Sequence, residues 1–158
     1  MRMLFQENAF SLKGSYDVFD DAGAFLFQVR GKELLRHTLE IRDGHGVPVG
    51  TVREKVWTML TKCSVTLEDG TCGVIRREKP LRHHCYGMDF CGWTAECGFS
   101  GRHCTFRNAQ GTAAAQADRV PLHLADRYVI DVDDPKDAVK VLLLMLAIEI
   151  ERAQAAAC

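Results

Sequence analysis

Ala138-Val-Lys140-Val-Leu-Leu143-Leu144-Met-Leu-Ala-Ile148 decides the fold. Lys140 alone breaks an otherwise apolar run. A helix that is apolar on every face must be covered on every face. The run is shorter than the roughly 20 apolar residues that a bilayer-spanning helix needs. Asp133 and Asp134 offer capping oxygens and negative charge ahead of it, and Pro135 suits a first helical turn. The spacing predicts a helix over about 135–157, with a polar and alanine-rich tail from Glu149 to Ala157 reaching solvent.

Working outward from the helix, the preceding chain reads as hairpins. Tyr16–Gly23 leads into Phe25–Lys32, Leu39–Gly46 into Val49–Lys55, and Ser64–Gly70 into Gly73–Lys79. Each unit has an alternating segment, a turn rich in Asp, Glu and Gly, and a second alternating segment, which is the pattern of a β-hairpin. The turn glycines Gly23, Gly46 and Gly70 lie 23 and 24 residues apart. A weaker unit spans Tyr86–Arg102, another centres on Asn108-Ala-Gln-Gly111, and Tyr128–Val132 reads as the last strand. The total is ten to twelve strands. Phe25, Phe27 and Val29 alternate with Leu26, Gln28 and Arg30, so one face of such a sheet packs on a core.

Strands with one apolar face and a helix with no polar face fit one architecture. A wide antiparallel barrel cannot fill its interior with side chains alone, and a helix about 10 Å across fills the gap. The fold class read from the residues is therefore mainly β with one helix, α+β in composition: a closed antiparallel barrel of ten to twelve strands around a buried hydrophobic C-terminal helix. Closure also removes exposed strand edges.

The chain resembles the LURP-one-related proteins, a group placed with the Tubby C-terminal-like and phospholipid scramblase-like folds. The Asp-rich, Gly-ended turns with their following Val-Arg-x-Lys carry the resemblance, together with the terminal Asp-Pro and hydrophobic helix. Gln6-Glu-Asn-Ala-Phe10-Ser-Leu12 and Tyr128-Val-Ile-Asp-Val132 also fit. The likeness runs from about Leu4 to Arg152 and implies a twelve-stranded barrel in one domain, residues 1–158. It implies no settled activity. Tubby domains bind phosphoinositides and scramblases associate with membranes, so phosphoinositide binding is an expectation of the fold group, with no residues carried over.

Totals narrow the function classes. The chain has 158 residues and a net charge of -1, so no global field draws it to nucleic acid or anionic membrane. Arg76-Arg-Glu-Lys-Pro-Leu-Arg-His-His84 is basic but lacks the aromatics of a stacking platform, and nucleic acid is not an expected partner. Met1–Phe10 lacks a signal-peptide core, and no transmembrane segment is read. The location expected is cytoplasmic, peripheral to membranes where lipid is the partner.

Seven cysteines without an export signal are expected as free thiols, buried in the Cys85–Cys104 region and mobile at Cys158. Cys85, Cys91, Cys97 and Cys104, with His83, His84 and His103, lack the close ligand pairs of a structural zinc site. No metal and no cofactor are expected. Ser100 lies in Gly98-Phe-Ser-Gly101, which departs from a nucleophile elbow, so no catalytic residue is assigned and the protein is expected not to be an enzyme.

The candidate ligand site is cationic. Arg30 and Lys32, Arg53 and Lys55, and Arg77 and Lys79 stand seven and nine residues after their turn glycines. Residues two apart on a strand share a face. Side-by-side hairpins would gather these six cations into a patch for lipid headgroups or other phosphate-bearing anions. The alternatives are a protein-interaction scaffold without a small ligand and a Cys/His metal-binding protein.

Overall fold

Alternating burial begins at the first strand. In the computed structural model, Met3 and Phe5 point inward from β1 (Arg2–Glu7) and are almost wholly buried, while their neighbours are partly or fully open to solvent. The same two-residue period runs through β2 (Tyr16–Phe19), while β3 (Phe25–Gly31) is buried chiefly at Val29 and β4 (Thr38–Asp43) is buried at four successive residues, Thr38 to Ile41. The period returns in β5 (Pro48–Glu54) and β6 (Lys62–Leu67). The remaining strands are β7 (Cys72–Lys79), β8 (His84–Met88), β9 (Thr94–Cys97), β10 (His103–Arg107), β11 (Ala113–Val120) and β12 (Arg127–Val132). The structure describes residues 1–8, 15–32, 38–55, 60–79, 84–121 and 127–157, apart from the side chains of 79, 156 and 157.

All twelve strands pair antiparallel with their sequence neighbours, and β1 pairs with β12 to close the barrel. Five tight connections, β2–β3, β4–β5, β6–β7, β8–β9 and β10–β11, therefore lie at one end. In the β4–β5 turn Asp43 accepts from the backbone of His45 and Val47, and Gly46 takes the left-handed φ of 79° that lets the chain reverse. Gly23 and Gly70 repeat that conformation in their own turns.

After β12 the chain makes one 3-10 turn, Pro135–Asp137, with the Asp134 side chain accepting from the Lys136 backbone at 3.1 Å. It then enters α1 (Ala138–Ala157), which passes back through the barrel toward the opposite end. Val141 to Ile148 and Ile150 are all buried. Gly50 faces the helix from β5, where a Cβ would stand 3.5 Å from Leu143 Cδ2. Lys140 sits near the entry, 3.3 Å from Asp137 and with its ammonium 5.2 Å from the Trp93 ring centroid. The expected enclosed helix and twelve-stranded closure are thus what the chain forms.

Candidate functional site

Register decides where the six cations go. Val29 and Val52 are buried inside the barrel, so Arg30 and Arg53, next along their strands, stand on its outer face. Arg30 lies opposite Glu40, and Arg53 lies opposite Thr38 on one side and Ser64 on the other. Lys32 forms an ion pair with Glu40, which Arg42 also holds at 2.6 Å. Glu40 as a residue is only 4% exposed. Its hydrogen bond from Lys32, followed by that from Arg42, holds its pKa below the usual carboxylate value against the opposing effect of burial.

Arg77 does not join this face. It shares the inner face with buried Ile75, is half-buried, and bonds Glu151 Oε1 at 2.6 Å through Nη1. The reason is a missing β-bulge. In the β2–β3 hairpin the register shifts between Val18 and Phe19, and in β4–β5 it shifts between Ile41 and Arg42. The β6–β7 ladder runs from Thr66↔Cys72 to Lys62↔Arg76 without a shift. One residue of slip exchanges the two faces of a strand. Equal spacing from the turn therefore puts Arg30 and Arg53 outside but Arg77 inside, and Arg76 takes the outer position. The side chain of Lys79 lies outside the described residues, as do Arg82 and His83 of the basic segment.

The outer face gains two cations that spacing did not single out. Lys55 lies beside Lys62, whose carbonyl accepts from the Lys55 backbone at 2.8 Å, and Lys62 is registered against Arg76. Lys55, Lys62 and Arg76 thus run as a row across three adjacent strands, with Arg53 two residues along the same face. Arg76 has Asp89 at 3.8 Å.

The mouth from which α1 emerges is the second concentration of polar groups. Glu151 accepts from Tyr86 Oη as well as Arg77, and His84 Nδ1 is 3.7 Å away. Tyr128 Oη donates to Glu149 at 2.7 Å and accepts from Arg152 at 2.6 Å. Gln154 donates to Glu54 and meets Thr61. The helix tail, read from sequence as simply solvent-exposed, is bolted to the barrel rim. Burial lifts the Tyr16 and Tyr128 phenols well above their usual range, with the nearby Glu149 charge adding to it. A pocket of about 300 Å³ opens beside the tail between β7, β8 and β9.

The profile of the LURP-one-related family matches residues 1–149. The chain belongs to the LURP-one-related family. Its fold is similar to the X-ray structure of a protein from Arabidopsis thaliana, with 17% identity and a TM-score of 0.62, over 92% of this chain and 89% of that one. No curated protein matches the sequence.

This LURP-one-related barrel departs from the free-thiol expectation at one pair. Cys97 on β9 and Cys104 on β10 are registered opposite each other, both facing inward, and form a disulfide. Sequence spacing could not show this, because the two become neighbours only when the β9–β10 hairpin closes. Cys63 is a buried thiol, while Cys72 is exposed and Cys85 and Cys91 are partly so. Cys158 lies outside the described residues. Burial, with Glu54 and Glu151 adding to it, pushes the Cys63 thiol up to about 12. Among the described residues no three His, Cys, Asp or Glu side chains converge to hold a metal ion. His103 instead meets Asp118 at 2.7 Å. Also among the described residues, no helix is long and apolar enough to cross a membrane.

Proposed function

We propose that this LURP-one-related protein is a non-catalytic binding module whose outer barrel face takes phosphate-bearing anions, lipid headgroups first among them. The row Lys55–Lys62–Arg76 carries the reading. Like charges directly opposite on neighbouring strands destabilise a sheet. Asp89 offsets part of that repulsion at Arg76, and an anion laid across the row would offset more of it. Arg53, Arg30 and Lys32 extend the positive surface toward β3, with Arg offering paired donors and Lys a mobile point charge. Of the carboxylates on this face, Asp89 lies 3.8 Å from Arg76, and Glu40 is held by Lys32 and Arg42.

Vesicle flotation tests the reading. The full chain is mixed with phosphatidylcholine vesicles alone or with added phosphatidylserine or phosphoinositide. Flotation with the anionic vesicles only, falling steeply with salt and lost in Arg53→Glu/Lys62→Glu, is expected. Indifference to lipid charge and to the double substitution would leave a protein-interaction scaffold as the reading.

A further inference from the structure

We propose that the barrel meets an anionic membrane end-on, with the mouth from which α1 emerges toward the lipid and Phe99, at the tip of the β9–β10 turn, entering the bilayer interface. This placement rests on the cationic-face reading and adds to it an orientation and an apolar anchor.

Charge separates the two ends of the barrel. The five tight turns at the far end hold Asp20, Asp21, Asp43, Glu68, Asp69 and Asp89, and residues 20–24, 43–47, 68–71, 89–93 and 108–112 contain no Lys or Arg. Arg42 and Arg107 flank two of these turns, but the segment into α1 adds Asp133, Asp134 and Asp137 against Lys136 and Lys140, so acid prevails there. At the mouth end Lys55 follows β5, Lys62 opens β6, and exposed Arg102 closes the β9–β10 turn. Of the acids at the mouth, Glu149 and Glu151 are paired with Arg152 and Arg77. An anionic surface repels the first end and attracts the second.

Phe99 stands at the attracted end. It is 91% open to solvent, the most exposed large apolar side chain among the described residues, whereas Phe25 and Val47 at the acidic end are less than half exposed. The turn closes without using its ring. Gly98 donates to the His103 carbonyl at 2.9 Å, and Gly101 donates to the Gly98 carbonyl at 2.8 Å while supplying the positive φ of 65°. Exposed Val120 lies beside the same turn, because the preceding Arg119 amide donates to the Arg102 carbonyl at 2.7 Å. The Cys97–Cys104 disulfide ties the two strands beneath the tip, so the turn has less freedom to lose on docking.

Size selects a bilayer over a protein partner. A Phe side chain buries roughly 150–250 Å², against about 1,200–2,000 Å² in a standard protein interface. A bilayer asks less, because an apolar anchor and a basic patch add their effects there.

Vesicle binding by the full chain and three variants tests the placement. Phe99→Asp changes an exposed position and should melt as the wild type does, yet bind phosphatidylserine vesicles about tenfold more weakly. Phe99→Trp should bind at least as tightly as the wild type. On vesicles of brominated phosphatidylcholine and phosphatidylserine it should show quenching beyond that of the wild type, whose own tryptophans give the background. The proposal is overturned, and the cationic-face reading left standing, if flotation is lost in Arg53→Glu/Lys62→Glu while Phe99→Asp binds undiminished and Phe99→Trp adds no quenching. Absence of wild-type flotation overturns both. A dimer of the free chain in sedimentation that Phe99→Asp dissolves would make a second copy the occupant of this tip, and also overturns the proposal.

Discussion

Tyr128 Oη and Glu149 Oε1 lie 2.7 Å apart, one on the last strand of the barrel and the other on the helix that strand leads into. The chain between them runs through the 3-10 turn at the opposite end of the molecule, so the bond closes a loop the length of the barrel. Arg152 bonds the same phenol oxygen and the same carboxylate. The three groups fix how deeply the helix is seated.

Tyr128→Phe should therefore loosen the mouth. It removes one donor and one acceptor and leaves Glu149 and Arg152 with one partner fewer. A loss of about 1 to 3 kcal/mol is expected in urea denaturation, with the cooperativity of the transition kept. An unchanged midpoint would show that the helix is seated by its apolar contacts alone.

The buried stretch of α1 leaves no room for charge. Leu143 is fully buried and faces Gly50. Leu143→Asp puts a carboxylate where nothing can pair with it, at a cost comparable to the entire stability of a domain. Leu143→Ala should keep the fold and lose about 2 to 5 kcal/mol. A soluble, cooperatively melting Leu143→Asp protein would contradict the enclosure of the helix.

Alkaline pH should destabilise the protein early. In the folded state the Cys63 thiol titrates only at about 12, and the Tyr16 and Tyr128 phenols are raised as well. Unfolded thiols and phenols release their protons at about 8.5 and about 10. The unfolded chain therefore holds fewer protons above those values, and stability falls with rising pH. The stabilising effect of these groups is complete below about pH 8.5 and is lost progressively toward pH 12 and beyond. Urea midpoints measured from pH 7 to pH 10.5 should decline, and Cys63→Val should flatten the first part of the decline.

Glu40 makes the opposite prediction in acid. Its lowered pKa means that its stabilising effect is present above the unfolded value of about 4.3 and is lost as pH falls through the folded one. Glu40→Gln should cost about 1 to 2 kcal/mol at pH 7, a modest figure because Lys32 and Arg42 are substantially exposed. The same change frees two cations on the outer face, so flotation with anionic vesicles should rise as stability falls. Weaker flotation in a folded Glu40→Gln protein would count against that face as the anion site.

Gly73 tests the packing outside the helix. A Cβ there would lie 2.1 Å from Phe90 Cδ1 and 2.8 Å from Phe90 Cβ, closer than rotation of the ring alone can relieve. Gly73→Ala should cost about 1 to 3 kcal/mol in thermal or urea unfolding. Gly50→Ala, whose Cβ would make only ordinary contacts, should cost far less.

Much of the fold was legible in the chain. The run from Val141 to Ile148 has no polar stripe, and only enclosure satisfies such a helix. The turns around Gly23, Gly46 and Gly70 carry their own local chemistry, in side-chain oxygens close to a residue able to adopt positive φ, so they could be read without knowing what lay across the barrel. Asp134 and Pro135 marked the start of the helical region for the same reason.

The site was less legible because it depends on register. A bulge is one residue of difference in pairing, and no residue type announces that β2–β3 and β4–β5 have one while β6–β7 does not. Arg77 therefore looked equivalent to Arg30 and Arg53, although it faces Glu151 inside the mouth. Lys62 went unnoticed because its neighbours Lys55 and Arg76 lie on other strands. The partners of Glu149, Glu151 and Gln154 come from across the barrel, as does the pairing of Cys97 with Cys104 across a hairpin. By itself, then, the sequence determined a closed barrel around its own last helix, because periodicity and turn chemistry are local properties of the chain. Which cations share the outer face, and what meets at the mouth, only the tertiary structure decided, because pairing between distant strands sets the face each side chain takes.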